Sequence, residues 1–328
     1  MSQIDIRQGD EDAAESKLVG ALNELLNGKS DAATAAKLVD QVITEECQKG
    51  AARYEAANAE DKDNVDKSAI GGWQKFLYDD LIARGAMLAP TDHAGQDQLV
   101  SLVQELNRLP RHTVPRVLPD GTVDQKELWN ISRETNYDGF QQWLSEIIAS
   151  GCKYRYLIAG FNGCFFRPFT DGAMTANPYG KEKDTKHYVN LSSFLARLLA
   201  SGTAALLEAS ALLDPFAKRS LVTVASQKPE TYAYQVAAAA QWILHSGEAI
   251  REMCQKRAMA GKRWTPELWE SLKEKFDAVA KDERFTAEGC EWAAKARDRM
   301  VELEQQDLSG KEGVVEMFKF RGPAADED

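Results

Sequence analysis

The chain has 328 residues, of which 44% are hydrophobic, with 51 acidic side chains, 40 basic ones and four histidines, for a net charge of −11. That balance excludes a phosphate-tracking nucleic-acid binder and an anionic-membrane binder, both of which need basic faces. It also excludes a disordered chain, which is too polar to bury a core. The charge is uneven: residues 1–110 hold 20 acidic and 11 basic side chains, which suits a solvated helical surface or a basic partner.

Cys47, Cys152, Cys164, Cys254 and Cys290 form an odd set with no C-x-x-C pair. Neither a zinc site nor a disulfide framework has this spacing, so free thiols in a reducing compartment are expected. The start, MSQIDIRQGDEDAAES, has no apolar run, and no stretch reaches the ~20 apolar residues that span a bilayer. The expected location is the cytoplasm, with no membrane association.

Apolar residues at helical spacing then recur along the chain. Leu18, Leu22, Leu25 and Leu26 share one face, ended by Gly28. Leu38, Val39, Val42 and Ile43 follow Ser30 and Asp31, either of which can cap a helix. Ile70, Trp73, Leu77 and Leu81 form a third stripe, expected to stop near Gly85, and Leu99, Leu102, Val103 and Leu106 a fourth, stopped by Pro110. Residues 1–110 thus read as an acidic N-terminal helical unit. Pro110, Pro115 and Pro119, closed by Asp120-Gly121, predict a proline-rich strap over 111–121, because proline lacks a donor and biases its predecessor to extended backbone.

A C-terminal helical unit is expected over 122–310. It opens with a helix carrying Phe140, Trp143, Leu144 and Ile147. An irregular insertion follows at about 152–186, with Phe165 and Phe166 among its aromatics. Segments of this kind are lids, packed walls or mobile insertions. Beyond it lie Val189, Phe194, Leu195 and Leu198 on one helix, ended by Gly202, and a further helix from Thr203. A long helix over about Glu230–Ala260 points Val236, Ala239, Ile243 and Ile250 inward. Thr265-Pro266-Glu267 has the residues of a helix start, leading Trp269, Leu272, Phe276 and Val279. The last helix carries Trp292, Ala296, Met300 and Leu303, and residues 311–328 form an acidic tail. The fold class expected is all-α, roughly ten helices in an antiparallel bundle or array without significant β-sheet, in one compact body.

Motifs that would carry chemistry fail on inspection. Gly28-Lys29-Ser30 lacks the glycine five positions earlier that a phosphate loop needs, since Asn23 stands there. It reads instead as a helix-ending glycine followed by a capping serine. Asp61-Lys62-Asp63 begins like a calcium loop, but its sixth position is Asp66 rather than glycine. Asp79-Asp80 is similar to the aspartate-rich metal motif of terpene cyclases, yet Ala83 occupies the place of the third aspartate. The histidines, at 93, 112, 187 and 245, form no helical i,i+3 or i,i+4 pair. No metal and no cofactor are expected.

One polar constellation stands inside the most apolar part of the chain. Helical spacing places Asn190 and Arg197 on one face with Phe194 between them, and Trp242, His245 and Glu248 at three-residue steps on the long helix. As a satisfied core network, Arg197 would pair with Glu248, since buried charges must be paired. As a pocket, His245 would be an acid or base, Arg197 an anion clamp, and Phe165 and Phe166 wall residues.

The run YVNLSSFLARLLASG, then VAAAAQWILHSGEAI, resembles a filamentous-fungal family of helical proteins known as a domain of unknown function. The matching letters are Tyr188, Asn190, Leu191, Phe194, Ala196, Arg197 and Leu198, then Ala239-Ala240, Trp242-Ile243 and Gly247. Trp269 with Lys273 and Ala296 with Met300 follow. The resemblance covers roughly 90–110 and 188–303, and it implies a helical fold without implying an activity. Three functions fit. A binding or interaction protein suits the lack of a catalytic signature. A cofactor-independent cyclase or isomerase of specialised metabolism, or a small-metabolite sensor, would use an apolar aromatic pocket. Oligomeric state stays open.

Overall fold

In the computed structural model the helical period becomes nine α-helices and a single two-stranded ribbon among the described residues. Those residues are 3–58, 60–65, 67, 70–118, 120–129, 182–202, 213, 216–218, 221, 229–256 and 264–306. The fold is all-α in class. The chain divides into two units, Met1–Trp143 and Leu144–Asp328. The helix expected around Phe140, the one expected from Thr203, Phe165, Phe166 and the tail lie outside the described residues. No helix among the described residues is long and apolar enough to cross a membrane.

The first unit opens with α1 (Ala13–Leu26), started by a reciprocal cap: the Asp12 carboxylate accepts from Ala14 and Glu15 N–H groups, and Glu15 accepts from Asp12 N–H. At its other end Gly28 adopts φ +70°, its N–H donating to Leu25 O at 3.0 Å while Lys29 N–H reaches Glu24 O at 2.8 Å. This paired closure needs a left-handed residue, which glycine supplies without strain. α2 (Ala32–Ala56) is capped by Asp31, whose Oδ1 accepts from Thr34 N at 2.8 Å. Of the two capping candidates, Ser30 and Asp31, it is Asp31 that caps, its carboxylate meeting the N–H three positions on.

The third stripe does not stop at Gly85. It runs as α3 (Ile70–Lys75), a π-helical stretch (Phe76–Ala83) and α4 (Arg84–Leu88). Widening to a π-turn buries Leu77, Tyr78, Leu81 and Ile82 together. Gly85 lies where a Cβ would meet Leu26 Cδ1 at 3.2 Å and Leu99 Cδ1 at 3.4 Å, so it serves close helix packing. α5 (Gly95–Arg108) buries Leu99, Leu102, Val103 and Leu106 as expected. Its buried Gln96 donates from Nε2 to Ala86 O and Ala89 O at 3.0 and 2.7 Å, satisfying carbonyls at the end of α4.

The segment expected to be a strap is half of a hairpin: β1 (His112–Val117) pairs antiparallel with β2 (Val123–Leu128), Val114 opposite Lys126. The alternation is masked by mostly polar side chains, and Pro115 is tolerated because each strand of a two-stranded ribbon is an edge. Gly121 at φ +83° and Asp120, which accepts from Thr122 N and Oγ1, close the turn. The hairpin is fixed to α2 by a polar clamp. Trp129 Nε1 donates to Asp40 Oδ1 at 2.5 Å, and His112 Nε2 stands 3.1 Å from Thr44 Oγ1 and 3.4 Å from Asp40 Oδ1. Trp129 holds this position at φ +61°, a strained region for a residue with a Cβ.

In the second unit α6 (Glu182–Ala200) packs along α7 (Pro229–Lys256), which also meets α8 (Pro266–Ala280) and α9 (Ala287–Gln305). α6 begins at Glu182, inside the segment read as an insertion. Val236, Ala239, Ile243 and Ile250 of α7 are buried, and so are Leu268, Trp269, Leu272 and Phe276 of α8. Thr265 caps α8 as expected, with Oγ1 accepting from Leu268 N at 3.2 Å. On α9 Ala293, Ala296, Met300 and Leu303 turn inward, whereas Trp292 is only half-buried, with Lys295 Nζ 4.7 Å from its ring centre. The small Ala293 fits the seam that the indole would overfill.

Candidate functional site

α6 and α7 are unusual in being buried nearly all round. On α6 every residue from 191 to 196 is buried, and on α7 every residue from 236 to 243. A helix of this kind lies at the centre of its unit and needs apolar residues on all faces. Polar residues interrupt both. Thr185, Ser192 and Ser193 on α6, and Gln241 and Ser246 on α7, are buried.

The sequence constellation falls on this pair of helices. Phe194 and Trp242 are fully buried, while Asn190, Arg197, His245 and Glu248 are partly exposed. Ser193 completes the Asn190–Arg197 face, and Arg197 Nε donates to its Oγ at 3.4 Å. Glu248 has a 41% exposed side chain and stands 3.5 Å from Arg299 Nη2 of α9. The premise of two fully buried charges therefore fails: both groups sit where water reaches them. Phe165 and Phe166 lie outside the described residues.

Two residues carry more information than the charges. Trp242 and Gln241 are each 1% exposed, and among the described residues neither Trp242 Nε1 nor Gln241 Nε2 has a hydrogen-bond partner. Buried donors of this kind are rare, because each forfeits its bond to water. His245 follows three positions from Trp242 and four from Gln241, so indole, amide and imidazole fall within about one turn of the helix. Gln241 was legible as a polar letter inside AAAAQWIL, but helical spacing alone does not say whether such a letter is paired.

α7 is also broken just past these donors. Ser246 takes φ −127° and ψ 18°, and its Oγ donates to Trp242 O at 2.8 Å, a back-bond of the kind that bends helices. Gly247, next in line, would place a Cβ 2.7 Å from Leu303 Cδ1, so a side chain there would have to push Leu303 aside at the approach of α7 to α9. The Trp-Ile-x-x-x-Gly letters thus mark a donor, a kink and a close crossing within six residues.

The Trp269–Lys273 letters have an equally local explanation. One turn apart on α8, their Nε1 and Nζ donate to the same oxygen of Glu304 at 2.8 and 2.7 Å. Beside it, the Arg251 guanidinium of α7 donates to the carbonyls of Leu303, Glu304 and Gln306 and so caps α9. Burial pushes the Glu304 carboxyl up, but the bonds from Lys273 and Trp269 and the charge of Arg251 outweigh it and leave the pKa lowered. The Lys273 ammonium is held above its ordinary value, chiefly by the bond to Glu304.

Elsewhere, burial pushes the Cys47 thiol up to about 11 and the Cys254 thiol up to about 12, so both are inert as nucleophiles at neutral pH. Among the described residues no group of three or more His, Cys, Asp or Glu side chains is placed to hold a metal. No curated protein and no solved structure matches the chain. A family model does, over residues 80–314, which takes in the end of the π-helical stretch, the hairpin and the four described helices of the second unit. The chain belongs to the family described as protein of unknown function, DUF3632.

Proposed function

We propose that the chain is a binding protein whose ligand is a small organic molecule presenting hydrogen-bond acceptors, held in the second unit beside Gln241, Trp242 and His245 of α7. The observation that carries this reading is the pair of buried, unpartnered donors, Trp242 Nε1 and Gln241 Nε2. Each costs about 1–3 kcal/mol while unsatisfied, and a ligand carbonyl or carboxylate would recover that energy. Arg197, near the surface of α6, fits the charged end of such a ligand. The buried thiols at Cys47 and Cys254 support a reducing, cytosolic setting.

A second reading, cofactor-independent catalysis, is favoured by one observation: His245 stands one turn from Gln241 on the same face and is partly accessible. It differs in what His245→Ala does. In a pure binding site that variant weakens retention of the ligand, whereas in an enzyme it retains ligand unchanged.

Native mass spectrometry of the purified chain tests the proposal. The expected result is a non-covalent adduct that is lost on denaturation and absent from Trp242→Phe, a variant that keeps the ring and removes the donor. Bare sequence mass for the parent, with Trp242→Phe melting higher, would mean that the donors are orphaned without a ligand, and the reading would be wrong.

A further inference from the structure

Trp242 and Gln241 are neighbours in sequence, so their side chains leave α7 about 100° apart. Burial along the helix tells the two flanks apart. Tyr234, His245 and Glu248, four or seven positions from Gln241, are each partly exposed, so that flank leads outward. Ala238 and Ala249, four and seven positions from Trp242, are 0% and 2% exposed, so that flank is closed. Gln241 therefore stands on the side of approach and Trp242 at the closed end.

The surroundings are neutral as well as apolar. α6 carries no Asp, Glu, Lys or Arg from His187 to Ala196, and α7 none from Thr231 to Gly247. Arg197, which follows on α6, is partly exposed. Among the described residues of this unit the one buried charged side chain is Lys275 of α8, which already has a partner. The unused atoms Trp242 Nε1 and Gln241 Nε2 are both donors. Among the described residues, no buried side-chain carbonyl or carboxylate oxygen of this unit stands unpartnered beside them.

Three oxygen groups could accept from the indole N–H, and this setting separates them. A carboxylate would bring its charge to a place without a cation, and a buried ion recovers that cost only by pairing. A hydroxyl accepts, but it carries an O–H that would itself go unpaired. A ketone or ester carbonyl only accepts, so it satisfies the donor and adds no unmet group. Resting on the binding reading above, we infer that the ligand meets Trp242 Nε1 through the neutral carbonyl of a ketone or ester at the closed end, with its outer part offering a second acceptor to Gln241 Nε2. Trp242 is then the specificity-determining residue, which chooses the carbonyl compound over the matching alcohol or acid.

Two matched sets of probes test this: methyl heptyl ketone with its secondary alcohol and octanoate, and benzylacetone with its secondary alcohol and hydrocinnamate. Each set keeps one shape and changes the oxygen group. The readout is the indole N–H resonance of Trp242 in the isotope-labelled full-length chain, assigned among the seven tryptophans in the parent itself. At least one ketone should move it downfield saturably, as a newly formed hydrogen bond does. Its alcohol should need about tenfold more, the factor that one unpaired buried hydroxyl produces, and its acid more still. In Trp242→Phe the ketone should lose its advantage over the alcohol in raising the melting temperature; if that variant does not fold, the parent's resonance decides alone. An alcohol or acid that acts at the ketone's concentration overturns the neutral carbonyl and leaves the binding site standing. Ketones that leave the resonance unmoved, while the parent carries an adduct in native mass spectrometry, do the same. An unmoved resonance with no adduct removes the site itself and the carbonyl assignment with it.

Discussion

The indole N–H of Trp269 donates to Glu304 Oε1 at 2.8 Å, joining the first turn of α8 to the last turn of α9. Lys273 reaches the same oxygen, so one carboxylate gathers two donors from one face of α8 while Arg251 caps the helix that carries it. Glu304→Ala removes the acceptor of Trp269 and Lys273 at once and leaves the carbonyls that Arg251 caps. The expected loss is about 1–3 kcal/mol of unfolding free energy, since the indole N–H is left without its partner while Lys273 keeps only Glu270. Glu304→Gln keeps an acceptor and should lose less. Equal stability of Glu304→Ala and the parent in urea titrations would refute the clamp.

The same carboxylate gives a pH dependence with a defined sign. The folded-state pKa of Glu304 is lowered from 4.5, so the folded chain holds fewer protons at this group than the unfolded one. Its contribution is fully present above the unfolded value and is lost as pH falls through the folded one. Stability measured from neutral pH down to about pH 3 should fall less in Glu304→Gln than in the parent. Parallel curves would show that the group is not linked to folding.

Asp80 has the opposite sign. Burial in the π-helical stretch pushes its carboxyl above 3.8, and Lys75, Gln8 and Arg84 offset this only partly. A raised acid binds more protons when folded, so its contribution to stability is greatest below the unfolded pKa and declines as pH rises through the folded one. Asp80→Asn removes that decline and keeps an acceptor for Gln8. The variant should melt higher than the parent at pH 7, with the gap closing towards pH 3. A lower melting temperature at pH 7 would count against the desolvation argument.

What was legible in the sequence follows the physics of period. Leu99, Leu102, Val103 and Leu106 declared α5, because a single apolar face at 3.6 spacing has one solution, and Thr265-Pro266-Glu267 declared the start of α8 by chemistry special to helix N-termini. The hairpin was not legible, since Thr113, Arg116, Gln125 and Lys126 supply little apolar alternation and Pro115 reads as a breaker. Gly85 looks like a stop in a sequence and Gly247 like an ordinary helix position, and only the neighbouring Leu26 and Leu303 reveal them as contact points. The candidate site was half legible: helical spacing named Trp242 and His245 and aligned Asn190 with Arg197. It overlooked Gln241 and Ser193, because an uncharged polar letter in an apolar run carries no sign of whether it is paired.

Gly247 permits a direct test of the crossing between α7 and α9. Gly→Ala in a helix usually stabilises by about 1 kcal/mol through the unfolded chain. Here the new Cβ would stand 2.7 Å from Leu303 Cδ1, and Leu303 is fully buried, so it has little room to yield. Overpacking of about 1–3 kcal/mol should win, and Gly247→Ala should be less stable than the parent. The double variant Gly247→Ala/Leu303→Ala should regain part of the loss that the two single changes sum to. Simple additivity would indicate that the two positions do not meet.

The clamp at Asp40 pits two comparable terms against each other. Trp129 holds φ +61°, which costs about 1–3 kcal/mol for a residue with a side chain. Its hydrogen bond to the Asp40 carboxylate contributes about 1.5–3 kcal/mol, as bonds to charged groups do. The hairpin end is therefore held near balance by one carboxylate, with His112 beside it and Thr44 on the His112 ring. Asp40→Ala deletes the favourable term and leaves the strain. Trp129 should then relax out of the left-handed region and free the end of β2, while α1 and α5, which do not depend on this bond, keep their packing. Hydrogen exchange should speed up by about tenfold or more at the amides of 112–114, 116–117 and 123–128, the factor that 1.4 kcal/mol of local opening produces. Exchange in α5 should stay at its parental rate. Equal acceleration in both regions would mean that Asp40 supports the whole unit rather than the ribbon, and unchanged exchange in the ribbon would mean that the strained Trp129 is held by burial alone.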